Sequence, residues 1–181
     1  MNPIDNAGHA SPAVSDGIVP EETIALTPPE IDRRRRQIAH NRRLLSSNGG
    51  RKRLHTLIVE DQAFTRSLLS QVLSQTCSVA TCSNAKDGWR LYVDEVPDIT
   101  FLDIDLPGVS GHALADKIKE VDPDSYVVMV TASQDVYDIQ IAKFNRVDGF
   151  VIKPFNKQKI DACIERFCLT HKMHGKARPL S

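Results

Sequence analysis

Polar and charged side chains directly follow four short apolar runs of the sequence. Two of these positions carry the carboxylates Glu60, Asp61 and Asp103, and the other two carry Thr131 and Lys153. If the apolar runs are parallel β-strands, these side chains lie close together, because sites in open α/β sheets form beyond the carboxyl ends of the strands. The sequence therefore predicts one site that contains three carboxylates, a hydroxyl and an ammonium group.

Three carboxylates at one edge repel one another unless a cation lies among them. Carboxylate oxygens without soft ligands nearby suit Mg²⁺, which keeps several waters and completes its shell with a substrate phosphate. The charges agree, since −3 from the carboxylates is offset by +2 from the ion and +1 from Lys153. The residues thus favour a magnesium site that admits a phosphoryl group.

Five short apolar or β-branched runs alternate with segments of helical period from residue 54 onward. Such alternation predicts βα units, and mostly continuous apolar strands predict a parallel sheet covered by helices on both faces. The expected fold class is therefore α/β, with a doubly wound, five-stranded parallel sheet. The strands are predicted over residues 56–59, 79–82, 99–102, 126–130 and 149–152.

Apolar residues spaced three or four apart predict the helices between the strands. The first helix is expected to bury Phe64, Leu68 and Val72, and the fourth helix depends on Ile141 and Phe144. Three further residues stand where N-caps are wanted; they are Asn84, Ser110 and Asn156. The remaining apolar faces are predicted from Ala85, Trp89, Tyr92, Leu114, Ile118, Val121, Ile160, Cys163, Ile164 and Phe167.

A formal net charge of zero conceals a strong segregation of charge along the chain. Residues 1–30 carry five acidic and no basic side chains, and residues 31–53 carry nine basic and one acidic. Residues 54–168 carry 11 basic and 17 acidic side chains, and the last thirteen residues add three basic ones. We therefore expect a polar and then basic extension over 1–53, an acidic domain over 54–168 and a basic tail over 169–181.

Within the extension, the first 26 residues lack apolar periodicity and are predicted to be disordered. A helix is predicted over 27–47, because Thr27 and Glu30 form a capping pattern and Ile31, Ile38 and Leu45 fall seven apart. Two interpretations remain open for this helix. It is either a solvated basic tail that is helical part of the time, or a docking helix for an acidic or membrane surface.

The segment from Leu54 to Cys168 resembles the receiver domain of two-component response regulators, which has the CheY-like, or flavodoxin-like, fold. Each matching fragment is weakly specific alone, whereas the fragments in order and with their spacing intact are a strong signal. They are LIVED at 57–61, FLDIDLPG at 101–108, VTA at 130–132 and GFVIKP at 149–154.

The resemblance implies a role for each matching residue. Asp103 is the expected phosphoacceptor, which takes a phosphoryl group from a histidine of a sensor histidine kinase or a histidine phosphotransfer protein. Mg²⁺ is expected on Glu60, Asp61, Asp103 and the backbone carbonyl of Asp105. The Thr131 hydroxyl and the Lys153 ammonium are expected to contact phosphoryl oxygens. The peptide bond between Lys153 and Pro154 is expected to be cis.

Some positions depart from the family's commonest pattern or have a plain alternative. Glu60 replaces the commoner Asp of the acidic pair, which leaves metal binding plausible. Phe150 occupies the position of the aromatic switch residue, expected to act with Thr131, and its alternative is simple strand packing. Asp105 either affects attack of water on the phosphorylated carboxylate or is a solvated loop acid.

The resemblance implies a single-domain response regulator, a switch that catalyses only its own phosphorylation and dephosphorylation. Thirteen residues after Cys168 are too few for a DNA-binding output domain, so output is expected through a protein target on the helix 4–strand 5–helix 5 face. Without an apolar stretch of bilayer length or a signal peptide, a cytoplasmic location is expected. The alternatives are a degenerate receiver acting as a phosphorylation-independent scaffold, and a nucleic-acid binder using residues 31–53.

Overall fold

A computed structural model describes residues 25–47, 53–132 and 147–172. The predicted fourth helix with Ile141 and Phe144, the predictions for residues 1–24 and those for the end of the basic tail lie outside these ranges. In chain order the elements are α1 (Pro28–Ser47), β1 (His55–Val59), α2 (Ala63–Leu73), β2 (Ser78–Cys82), α3 (Ala85–Glu95), β3 (Ile99–Asp103), α4 (Gly111–Val121), β4 (Val127–Thr131), β5 (Gly149–Ile152) and α5 (Lys157–Lys172).

The five strands form one parallel sheet in the order β2-β1-β3-β4-β5. Every residue of β1, β3 and β4 is buried, as expected of central strands that have helices on both faces. The observed strands differ from the predicted ones by no more than one residue at either end. The predicted fold class is therefore confirmed, and the carboxyl ends of β1, β3, β4 and β5 face the same edge.

Two apolar layers cover the sheet, one on each face. On one side, Val59 and Leu102 pack with Leu114 and Ile118 of α4 and with residues of α3. On the other side, strand residues pack with α2 and α5. The strands contribute Ile58, Phe101 and Val128, and the helices contribute Leu69, Leu73, Ile160 and Ile164. The N-cap predictions are also confirmed, because the side chains of Asn84, Ser110 and Asn156 accept hydrogen bonds from the third residue along.

The predicted apolar face of α2 is wrong. Phe64 is 81% exposed and Leu68 is 37% exposed, whereas Leu69 and Leu73 are fully buried. Val72, the third residue of the predicted face, is only partly buried. Two apolar stripes with the same spacing of four run along this helix, so periodicity alone does not show which of them is buried. Packing against the sheet buries the stripe of Leu69 and Leu73.

Helix α1 packs on α3 and α4, against its own domain. Ile38 is 2% exposed within the same apolar layer as α3 and α4. Nη2 of Arg42 lies 2.7 Å from Oδ2 of the buried Asp122, which also accepts a hydrogen bond of 2.6 Å from the Tyr92 hydroxyl. Asn41 donates to the carbonyl of Val93 at 2.9 Å. The packed unit therefore includes a helix that precedes residue 54.

The start of α1 follows the capping pattern with one difference. The backbone N–H of Thr27 donates to Oε2 of Glu30 at 2.8 Å, as the pattern predicts. The Thr27 hydroxyl donates to the same oxygen at 2.6 Å instead of accepting from a backbone N–H.

Over the described ranges, no helix combines the length and the apolar character that a membrane crossing requires.

Candidate functional site

The sheet fixes the backbone just beyond the strands that carry the predicted site. Glu60, directly after β1, donates its backbone N–H to the carbonyl of Cys82 at 3.1 Å. Lys153, directly after β5, donates its N–H to the carbonyl of Thr131 at 2.7 Å. These bonds continue the ladder one residue beyond each strand, so both side chains start from ordered backbone. Asp103 is itself the last residue of β3 and pairs in register with Val130.

The three predicted carboxylates lie together at this edge. One ligand oxygen each of Glu60, Asp61 and Asp103 falls within 4.8 Å of the other two. Glu60 and Asp103 are each 1% exposed, whereas Asp61 faces solvent. Oxygen ligands of one Mg²⁺ ion sit about 2 Å from the metal, so this spacing and this donor chemistry fit the ion.

Lys153 neutralises two of these carboxylates directly. Its Nζ lies 3.0 Å from Oδ2 of Asp103 and 2.9 Å from Oε2 of Glu60. Burial alone would lower the pKa of Lys153, but hydrogen bonds to Glu60 and Asp103 raise it above the ordinary value. The ammonium group therefore stays charged, and it holds the two buried carboxylates beside each other.

Glu60 has an unusual proton affinity for a glutamate. Burial raises the pKa of Glu60 to about 7, with the Lys153 hydrogen bond opposing the rise and the Asp103 charge adding to it. Oε1 accepts hydrogen bonds from Lys153 at 3.2 Å and from the N–H of Gln62 at 3.3 Å. Oε2 is buried against the Lys153 ammonium at 2.9 Å and accepts no other contact from a donor among the described residues. Because each carboxylate oxygen carries two lone pairs, Oε2 keeps one that could bind a metal ion beside the Lys153 contact.

The other predicted site residues surround this cluster on neighbouring loops and strands. Asp105 is exposed and donates its N–H weakly to Oδ1 of Asp103 at 3.4 Å. Thr131 is buried at the end of β4, and Phe150 is partly buried on β5, packed against the apolar layer of α3 and α4. The peptide bond between Lys153 and Pro154 is cis, which confirms that expectation.

Two residues shape the site but are not singled out by the sequence patterns. Arg66, at the end of the first turn of α2, donates from Nη1 to the carbonyls of Glu60 at 2.7 Å and Asp61 at 3.0 Å. Gly111 begins α4 so close to β3 that an added Cβ would lie 1.9 Å from the backbone oxygen of Asp103. In the sequence, the position of Gly111 at a predicted helix start could have indicated its role. Nothing in the sequence distinguishes Arg66 from an ordinary surface arginine.

A doubly wound sheet in this order, with an acidic cluster and a lysine beyond its strands, defines a class of signalling domain. The sequence matches the response regulator receiver domain family over residues 56–165, more than half of the chain. The chain belongs to this family, whose members are the receiver domains of two-component systems and bind Mg²⁺ at an acidic pocket.

Relatives with curated sequences support the same assignment. The sensory transduction protein LytT of Enterococcus faecalis is 35% identical over 129 residues, which cover 70% of this chain and 51% of LytT. The transcriptional regulatory protein AfsQ1 of Streptomyces coelicolor is 31% identical over 108 residues, which cover 60% of this chain and 48% of AfsQ1. The chain thus spans about half the length of these relatives.

Solved structures agree in fold. The BeF3-activated receiver domain of DrrB superposes with a TM-score of 0.59 at 28% identity, covering 64% of this chain and 97% of that domain. A CheY-like receiver domain protein from Methanospirillum hungatei gives a TM-score of 0.63 at 22% identity, covering 67% of this chain and 99% of that protein. The second likeness is one of fold alone.

Proposed function

We propose that Asp103 accepts a phosphoryl group from a phosphohistidine of a sensor histidine kinase or a histidine phosphotransfer protein. The observation that carries this proposal is the contact between Nζ of Lys153 and Oδ2 of Asp103 at 3.0 Å, beside two further carboxylates. The contact fixes one carboxylate oxygen and offsets its charge. It thereby prepares Asp103 for contact with an anionic phosphoryl group.

The proposed reaction moves the phosphoryl group from a histidine nitrogen of the partner to a carboxylate oxygen of Asp103. A carboxylate oxygen of Asp103 attacks phosphorus, and the bond between phosphorus and the histidine nitrogen breaks. The electron pair of that bond returns to the imidazole, which takes up a proton. The product is an acyl phosphate on Asp103. Phosphoryl transfer needs mainly positioning and charge neutralisation, and Lys153 contributes to both.

The acidic cluster supplies the remaining electrostatic requirement. Glu60, Asp61, Asp103 and the backbone carbonyl of Asp105 would hold Mg²⁺, a ligand set supported by the 4.8 Å grouping of the three carboxylates. The bound ion supplies positive charge that offsets the oxygens of the transferred group. Arg66 holds the backbone of Glu60 and Asp61 in place through their carbonyls.

The acyl phosphate then changes the surface of the domain. New phosphoryl oxygens offer hydrogen-bond acceptors to Thr131 at the end of β4, and Phe150 lies on the neighbouring strand β5. We assign the resulting switch to these two residues and the output to the face that includes β5 and α5; the predicted fourth helix, expected on the same face, lies outside the described residues. The output partner is then a protein, and the chain acts as a switch that catalyses only its own phosphorylation and dephosphorylation.

The test is covalent labelling with acetyl phosphate and Mg²⁺, read by intact mass. The wild-type chain is expected to gain one phosphoryl group, and Asp103→Asn is expected to gain none, since the amide is no nucleophile. Asp105→Asn, which removes a carboxylate two residues away, serves as the matched control and is expected to label. Undiminished labelling of Asp103→Asn would overturn the assignment. Absence of labelling in the wild type would favour a phosphorylation-independent scaffold.

A further inference from the structure

The arginines of α1 divide into two groups by what they contact. Arg42 pairs with Asp122, Arg35 donates to the carbonyl of Glu120 at 2.9 Å, and Arg34 donates to Gln37 at 2.9 Å. The other three are Arg33, Arg36 and Arg43, all exposed. Within the described ranges, none of these three has a hydrogen-bond or ion-pair partner. We call Arg33, Arg36 and Arg43 the outer arginines.

The outer arginines lie on one side of α1. At 100° per residue they fall within a sector of about 80°, opposite the stripe of Ile31, Ile38 and Leu45 that packs on the domain. A rise of about 1.5 Å per residue places them along about 15 Å of the helix axis. Because Ile38 is buried and Arg42 is tied to Asp122, the row is held on a docked helix.

The chemistry of this side fits a polyanion whose charge comes from phosphate. Guanidinium groups bind phosphate oxygens through paired N–H donors, whereas the arginines that anchor protein interfaces usually lie among buried aromatic side chains, which α1 lacks. The large apolar side chain on this side is Leu44, 49% exposed, and the helix's apolar stripe is already packed on α3 and α4. A membrane helix would need that stripe for lipid.

We propose that the outer arginines form a binding surface for the phosphate backbone of double-helical nucleic acid. Binding at this surface is expected to depend on the charge of the phosphates and not on the base sequence, because contacts with the backbone do not distinguish bases. Asp32 lies at the edge of this surface. Because the acidic charge of residues 54–168 repels nucleic acid, only the outer side of α1 is expected to contact the phosphates. The proposal is independent of the phosphoryl chemistry at Asp103.

The test is fluorescence anisotropy of a labelled DNA duplex with the full chain, between about 50 and 200 mM salt. The variant Arg33→Gln/Arg36→Gln/Arg43→Gln removes the outer arginines. The matched control Lys86→Gln/Lys159→Gln/Arg166→Gln removes the same charge from exposed positions on α3 and α5. Thermal melting should be unchanged by the first variant, because its side chains have no partner among the described residues.

We expect three phosphate contacts to give a slope of log K against log salt of roughly −2.7 from these residues. The outer-arginine variant should lose that contribution and bind at least about tenfold more weakly at the lowest salt, while the control loses much less. A duplex of scrambled sequence should bind as well as the first.

Several outcomes would overturn the proposal. Absence of binding by the wild type would do so, and equal losses in both variants would reduce the effect to net charge. Tighter binding of polyglutamate than of duplex, lost in the outer-arginine variant, would assign the surface to an acidic protein. The same result with vesicles of anionic lipid would assign it to a membrane surface.

Discussion

At the scale of single residues, Glu60 controls the charge of the candidate site. It is 1% exposed between the Lys153 ammonium and the Asp103 carboxylate, and burial raises the pKa of Glu60 to about 7. Without a metal ion, the folded state holds this proton between about pH 4.5 and 7, where the unfolded state has lost it. Glu60 therefore makes the metal-free fold less stable as the pH rises through this window.

The same proton competes with Mg²⁺, because a carboxylate must be ionised to bind a metal. With the pKa of Glu60 at about 7, we predict that Mg²⁺ binds about tenfold more weakly at pH 6 than at pH 8. Isothermal titration calorimetry in buffers of different ionisation enthalpy measures both the affinity and the proton released. Glu60→Gln should bind more weakly and lose this proton release. An affinity that stays constant from pH 6 to pH 8 would contradict the role of Glu60.

At the scale of elements, the junction of β3 and α4 determines where Asp103 lies. Gly111 must lack a side chain, because its Cβ would lie 1.9 Å from the backbone oxygen of Asp103. The Gly111 N–H donates to the carbonyl of Ile104 at 3.0 Å, and the Ser110 side chain caps the helix that follows. Helix α4 therefore begins in direct contact with the strand that carries the proposed phosphoacceptor.

Gly111→Ala is predicted to shift the start of α4, to cost roughly 1–3 kcal/mol of stability or more, and to slow labelling of Asp103. Gly149→Ala is the control, since its Cβ would meet Val128 at 3.7 Å, an ordinary contact. Urea unfolding and the rate of labelling by acetyl phosphate measure the two effects. Equal stability and labelling for both variants would show that the contact at Gly111 is not limiting.

Helix α1 has its own prediction at this scale. Ile38→Ala removes a side chain that is 2% exposed and is expected to cost about 2–5 kcal/mol, as for other buried isoleucines. Leu44→Ala, at a position 49% exposed on the same helix, is expected to cost less than about 0.5 kcal/mol. Urea unfolding of the full chain compares them. A cost for Ile38→Ala as small as that for Leu44→Ala would show that α1 does not contribute to the folded core.

At the scale of the whole molecule, sequence patterns predict the sheet better than the helix faces. The strands are short and rich in apolar and β-branched residues, so their limits were correct to within a residue. The buried face of α2 was predicted wrongly because the stripe of Phe64, Leu68 and Val72 and the stripe of Leu69 and Leu73 have the same spacing, and only contact with the sheet distinguishes them. The packing of α1 against the domain was also not predictable from local sequence patterns, because Arg42 and its partner Asp122 are 80 residues apart.

The candidate site was predicted through the strand ends. Its carboxylates and Lys153 come together because parallel strands end at one edge, and that edge follows from periodicity and topology. The contributions of Arg66 and Gly111 depend on contacts with backbone carbonyls elsewhere in the fold. A glycine at a helix start was a signal for Gly111, whereas no pattern of residue types indicated the contacts of Arg66. The acidic residues of the site were thus predictable from the sequence, whereas the role of Arg66 was not.

The most direct measurement of the central claim is the location of the phosphoryl group. The wild-type chain is labelled with acetyl phosphate and Mg²⁺, reduced with borohydride, which converts an aspartyl phosphate to homoserine, and digested with trypsin. Fragmentation of the peptide spanning residues 91–117 then distinguishes Asp103 from Asp105. We expect homoserine at position 103 and intact aspartate at position 105. Reduction at position 105, or at neither position in a labelled chain, would contradict the claim.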